Sequence, residues 1–171
     1  MYRAAVLLAA ILAAPVHASP LTGTFPSIDG GTLSIEDWRG RPVLVVNTAS
    51  LCGYTPQYDD LQALHERYED RGLVVLAVPS NDFRQELATG EEVKEFCEMN
   101  FGLTLPMTDI TPVRGADAHP FYAALRAEGF VPRWNFNKVL IGPDGELVET
   151  WGSRTAPGDR EITDRIEPLL D

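Results

Sequence analysis

The sequence predicts an α/β fold, a central mixed sheet flanked by helices, on three observations. Two runs, PVLVVNT at 42–48 and GLVVLAVP at 72–79, are continuously apolar and rich in β-branched residues, as strands buried on both faces are. Between them PQYDDLQALHERYEDRG has the period of an amphipathic helix, and a strand, helix, strand order implies a parallel pair joined by a right-handed crossover. Near the end, NKVLIGPDGELVETW reads as two antiparallel strands about a Pro143-Asp144-Gly145 turn.

The elements follow in order. Gly30-Gly31 is a turn between two short arms, the second closed by Trp38. In the first helix Leu61, Leu64, His65 and Tyr68 recur at offsets of three and four. Asp59 and Asp60 fill its first turn, Thr55 is the expected N-cap, Pro56 the first helical residue and Gly72 the stop. GEEVKEFCEMN predicts a second helix whose inward stripe is Val93, Phe96 and Cys97, and HPFYAALRAEG predicts a third. DREITDRIEPLLD closes the chain as a helix with Ile162, Ile166 and Leu169 or Leu170 on one face. An α/β unit followed by an antiparallel hairpin and a last helix is the thioredoxin-like plan, which does not by itself fix an activity.

The first 18 residues carry one cation, Arg3, then an apolar core from Ala4 to Ala14 and small residues around Ala18. That is the pattern of a secretory signal peptide at 1–18, too short to span a bilayer, with a cut after Ala18. Residues 19–171 then form one domain with a proper core, free of membrane insertion after cleavage and placed in the periplasm or outside the cell. The formal charge is −11, from 14 basic and 25 acidic residues. Removal of Arg3 makes the processed chain one unit more acidic. Such a field repels nucleic acid and anionic lipid surfaces.

Cys52 and Cys97 are the two cysteines. In an oxidising compartment an even pair can be a permanent structural disulfide. Cys52, in NTASLCGYTPQY, instead follows a buried strand and precedes a helix start, where the helix dipole and free backbone N–H groups favour thiolate. No Lys, Arg or His lies between 47 and 58, so activation there falls to dipoles and neutral donors, unless a distant cation folds in. The usual second redox cysteine is absent, because position 55 is Thr55. His65 reads as a half-buried helix residue and His119 as a surface or capping residue. With no Cys-x-x-Cys, no metal site is expected.

Four blocks, NTASLCGYTPQY, VPSNDFRQE, FCEMNFGLTLPM and WNFNKVLI, stand in the order and spacing of the glutathione peroxidase family, which the chain resembles over nearly all of residues 19–171. The resemblance implies that Cys52 is the peroxidatic cysteine and that Gln85, Trp134 and Asn135 complete a catalytic tetrad. Amide and indole N–H groups are neutral donors suited to a thiolate and to the oxyanion that forms as an O–O bond breaks. It also implies that Cys97 is the resolving cysteine of the non-selenium, thioredoxin-dependent members. The implied substrates are hydrogen peroxide and organic hydroperoxides, the implied reductant a thioredoxin-like dithiol or glutathione, and no bound cofactor is needed. Asp82 stands where glutamine is common, the stretch from Asn81 to Gln85 is about one residue short, the next loop reads ELATGEE, and Ser80 replaces a frequent cysteine. The short link at 130–133, where tetrameric members carry an insertion, points to a monomer. Two other readings remain at this level: an exported thiol-disulfide exchange protein, and a non-enzymatic module stapled by Cys52–Cys97.

Overall fold

A computed structural model describes residues 19–170; the expected signal peptide at 1–18 lies outside the described residues. A small antiparallel hairpin, β1 (Thr24–Pro26) and β2 (Thr32–Ser34), leads into the main sheet. Gly30 and Gly31 make its turn with φ of 88° and 76°, which side chains with a Cβ rarely adopt. The second arm stops at Ser34, and Trp38 lies in a 3-10 turn beyond it.

The main sheet has the order β4-β3-β5-β6, built from β3 (Val43–Thr48), β4 (Val74–Pro79), β5 (Asn137–Ile141) and β6 (Leu147–Trp151). β3 and β4 run parallel, while β3–β5 and β5–β6 are antiparallel, so the sheet is mixed as the sequence predicts. Among the described residues four α-helices flank it: α1 (Gln57–Tyr68), α2 (Gly90–Phe101), α3 (Pro120–Ala127) and α4 (Arg160–Ile166).

Alternation along the strands explains their unbroken apolar runs. Leu44 and Val46 of β3 and Val75 and Ala77 of β4 join a cluster with Leu61, Leu64 and Tyr68 of α1, Val93 and Cys97 of α2, and Ile162 and Ile166 of α4. Their neighbours Val43, Val45, Val74, Leu76 and Val78 face the other way, against Phe25, Ile35 and the α3 residues Phe121, Tyr122 and Leu125. Both faces are dry, so neither strand needs a polar face.

Each helix has a local cause. α2 begins with a complete capping box: Thr89 Oγ1 accepts from the Glu92 N–H, and the Glu92 carboxylate accepts from the Thr89 N–H. It ends at Gly102, left-handed at φ 59°. His119 caps α3 through Nδ1, which accepts from the Phe121 N–H, and its ring stacks on Phe25 with centroids 4.0 Å apart. α4 gives way to a 3-10 turn, Glu167–Leu169, where Pro168 has no N–H to continue the ladder.

The expected cap of α1 is corrected. Pro56 holds the N-cap position, and the Thr55 hydroxyl makes no capping bond. Instead Thr55 Oγ1 donates to the Ala49 carbonyl at 2.9 Å and accepts the Cys52 N–H at 3.0 Å. A hydroxyl between two unmade backbone groups serves the tight loop before the helix better than the helix itself.

Candidate active site

Cys52 lies in the loop between β3 and α1, 8 % exposed. Residues 52–57 climb into the helix by successive turns, with the Thr55 N–H donating to the Cys52 carbonyl at 3.0 Å and the Gln57 N–H to that of Tyr54 at 2.9 Å. The Tyr54 N–H donates to Cys52 Sγ at 3.4 Å, so a backbone N–H of the turns ahead of α1 reaches the sulfur.

Two bonds fasten this loop to the segment after β4. The Leu51 N–H donates to the Gln85 carbonyl at 2.8 Å, and the Ser50 N–H donates to Glu86 Oε1 at 3.0 Å. Arg84, with φ of 57°, makes the left-handed bend that brings 85 and 86 to the loop. The stretch before β5 joins at the same place. Asn135 Nδ2 donates to Gln85 Oε1 at 2.9 Å, and Asn47 Nδ2, from β3, donates to the Trp134 carbonyl at 3.0 Å. Phe136, at φ 59°, turns the chain from this stretch into the strand.

Gln85 and Asn135 are thus in direct contact, and the backbone of Gln85 holds the residue next to Cys52. Trp134 is 41 % exposed, its ring 5.2 Å from that of Phe83. Among the described residues the side chains of Gln85, Trp134 and Asn135 make no hydrogen bond to Cys52 Sγ; Asn135 gives its amide N–H to Gln85. Gln85 and Asn135 are joined beside the loop, and the bond to the sulfur comes from Tyr54.

Cys97 is 1 % exposed on the inner face of α2, and both cysteines are free. Burial pushes its thiol up to about 12, the neighbouring Tyr58 hydroxyl pulls the other way, and the carboxylates of Glu86 and Glu98 reinforce the rise. Cys52 and Cys97 belong to one apolar cluster on the same side of the sheet.

Three features escaped the sequence reading. Glu86, next to Gln85, is buried, and burial raises its carboxyl above the ordinary range despite bonds from Ser50 and Leu87. Lys138, in the fourth block, is fully buried. Its Nζ donates to Gln57 Oε1 at 2.5 Å at the start of α1, and burial pulls it down to about 8 against the attraction of Asp159 and Asp60. Its hydrogen-bond partner is Gln57 at the start of α1, not the Cys52 sulfur. Third, Arg114 lies 5.2 Å over the Phe83 ring and shares with Arg133 a groove of about 750 Å³ that also includes Phe130, Val131 and Trp151. Chain order hides this pairing. Among the described residues no group of three or more His, Cys, Asp or Glu is placed to hold a metal, and no helix is long and apolar enough to cross a membrane.

The family model described as glutathione peroxidase matches residues 22–126. The chain is 41% identical over 150 residues to a glutathione peroxidase of Lactococcus lactis, covering 84% of this chain and 94% of that protein. It is 40% identical over 156 residues to a hydroperoxy fatty acid reductase of Synechocystis, covering 84% and 91%. Among solved structures, a thiol:disulfide interchange protein of the thioredoxin family from Chlorobium tepidum superposes with a TM-score of 0.67 at 16% identity, over 90% of this chain and 99% of that one, a likeness of fold alone.

Proposed function

Because the chain belongs to the glutathione peroxidase family, whose members are peroxidases acting on hydroperoxides, we propose that Cys52 is its peroxidatic residue, with Gln85, Trp134 and Asn135 around it and Cys97 as the resolving thiol. The observation that carries this reading is the knot of bonds from Leu51 to Gln85 and from Asn135 to Gln85, which gathers three distant segments beside one sulfur.

The Cys52 thiolate attacks the terminal peroxide oxygen. The O–O bond breaks, the sulfur keeps one oxygen as sulfenic acid, and water or an alcohol leaves with a proton. Cys97 then attacks the Cys52 sulfur, the S–O bond breaks and water departs, leaving a disulfide. An external dithiol reduces that bridge in two exchange steps. A disulfide needs Cα atoms within ~7 Å, so α2 must loosen at Cys97 wherever its packed position lies beyond that reach of Cys52. A half-exposed Trp134 next to Asn135 suits organic hydroperoxides as well as hydrogen peroxide, in keeping with the name of the Synechocystis relative.

A thioredoxin-like protein is the reductant this reading favours, since Cys97 supplies the second sulfur. One observation favours glutathione instead: Arg114 and Arg133 line one groove, and two cationic side chains there suit a small peptide with two carboxylates. The processed protein works as a monomer outside the cytoplasm, a placement that rests on residues 1–18.

Peroxide consumption with thioredoxin and with glutathione, measured in parallel on wild type, Cys52→Ser and Cys97→Ser, tests the scheme. Cys52→Ser is expected to lose turnover with both, and Cys97→Ser only the thioredoxin-coupled part. Full turnover in Cys52→Ser would remove the proposed nucleophile.

A further inference from the structure

A closed ring of hydrogen bonds runs around Cys52, and it closes through Gln57 and Ser153, which stand outside the proposed tetrad. From the Leu51 side, the Leu51 N–H donates to the Gln85 carbonyl at 2.8 Å, and Gln85 Oε1 accepts from Asn135 Nδ2 at 2.9 Å. The return path begins at the Asn135 carbonyl, which accepts from Ser153 Oγ at 2.5 Å. The Ser153 carbonyl in turn accepts from Gln57 Nε2 at 2.7 Å, the Gln57 N–H donates to the Tyr54 carbonyl at 2.9 Å, and the Tyr54 N–H reaches Cys52 Sγ. Ser153 lies just beyond β6 and Gln57 is the first residue of α1, so this bridge joins the end of the sheet to the start of the helix.

The bridge has a fixed direction. The Lys138 ammonium is fully buried, can only donate, and takes Gln57 Oε1, so the Gln57 amide turns Nε2 toward Ser153. Ser153 Oγ is equally committed: it accepts from Asn137 Nδ2 at 3.0 Å and gives its own proton to the Asn135 carbonyl. One peptide earlier, the Trp134 carbonyl accepts from Asn47 Nδ2. Successive carbonyls are thus pinned from behind by buried side chains. Asn135 depends on this, because its Oδ1 is buried without a hydrogen-bond partner and its amide is held only through Gln85 among the described residues. Where that amide and the Trp134 indole point is therefore set by the backbone that carries them.

We propose that Ser153 and Gln57 are positioning residues of peroxide reduction. Acting through Asn135 and Trp134, they set the neutral N–H donors against the Cys52 loop for the moment when the O–O bond breaks. The proposal rests on the reading of Cys52, Trp134 and Asn135 as the reaction centre. A donor to a developing oxyanion helps only when it is already aimed at the place where charge appears, and a displacement of about 1 Å can cost roughly 10²-fold in rate. The Cys52 thiolate has a separate support in the Tyr54 N–H, and the backbone bond from Gln57 to Tyr54 survives a change of the Gln57 side chain. Loss of the bridge therefore spares the thiolate and slows its reaction with peroxide.

The test compares two reactions of the same sulfur in reduced full-length protein. Alkylation by iodoacetamide needs only the thiolate, and its pH profile gives the thiolate fraction; oxidation by one equivalent of hydrogen peroxide needs the donors as well. Both are read at Cys52 by quenched mass spectrometry. Ser153→Ala removes the donor to the Asn135 carbonyl. Gln57→Glu keeps an oxygen for Lys138 but has no N–H for Ser153, and an acidic residue suits the first turn of a helix. In each variant oxidation per thiolate should fall roughly 10- to 100-fold while alkylation per thiolate stays within about twofold of wild type. A general loosening of the loop would move the two reactions together. Equal slowing of both reactions, or a wild-type ratio between them, in either variant overturns the positioning role of that residue. Asn135→Ala, measured alongside, separates this inference from the reading beneath it. Slow oxidation in Asn135→Ala with wild-type ratios in the bridge variants overturns the bridge alone, and wild-type oxidation in Asn135→Ala overturns the role of Asn135 and the bridge with it.

Discussion

Thr55 shows how much one hydroxyl decides at this site. Where a redox motif would place a second sulfur, Thr55 ties Ala49 to Cys52 and leaves Cys52 as the single thiol of the loop. Thr55→Val leaves a buried carbonyl and a buried N–H unpaired at nearly constant volume, so it should cost about 2–3 kcal/mol in stability and slow Cys52 oxidation, whereas Thr55→Ser should retain both. Urea unfolding and peroxide stopped-flow check this; a Val variant behaving like the Ser variant would contradict it. Gln85 and Asn135 teach a related lesson. Their residue types announce hydrogen bonding, but only the fold shows that Asn135 donates to Gln85.

At the scale of elements, the proposed mechanism sets α2 two demands that pull apart. On that mechanism it must be stable enough to bury Cys97 and weak enough to release it. Its N-terminus is well secured by the Thr89–Glu92 box, while Met99, in its last turn, is largely exposed. Thr89→Ala removes one half of the box and should destabilise the helix by about 1 kcal/mol. On the proposed mechanism the same change makes opening easier, so bridge formation after peroxide should quicken by up to about fivefold even as the melting temperature drops. Hydrogen exchange at residues 97–101 should rise in step. A slower bridge in a variant whose helix exchanges faster would show that opening of α2 does not control the step.

Over the whole molecule, the buried Lys138 couples the sheet to the start of α1 and gives stability a pH signature. Its folded value of about 8 lies below the ordinary 10.5, so between the two the unfolded chain holds more protons. Stability from this group is therefore lowest below about pH 8 and rises toward pH 10.5. Lys138→Met should lose that rise, worth roughly 1–3 kcal/mol, in urea unfolding at about pH 7.5 and about pH 9.5. Parallel pH trends in wild type and variant would place the ammonium in water. The sequence by itself determined the α/β plan, the mixed sheet, the four helices and the four quoted blocks. It could do so because periodicity, turn residues and motif spacing are local, and each survives without knowledge of its neighbours. Even the cap of α1 went astray by one hydroxyl, since Thr55 had a choice of partners that only the closed loop resolves. Tertiary structure alone decided that Glu86 and Lys138 are buried, that Arg114 and Arg133 share a groove, and that Tyr58 stands beside Cys97. Burial and pairing between distant segments depend on how the chain closes on itself, and an ionisable residue reads the same in a sequence whether its charge ends in water or in the core.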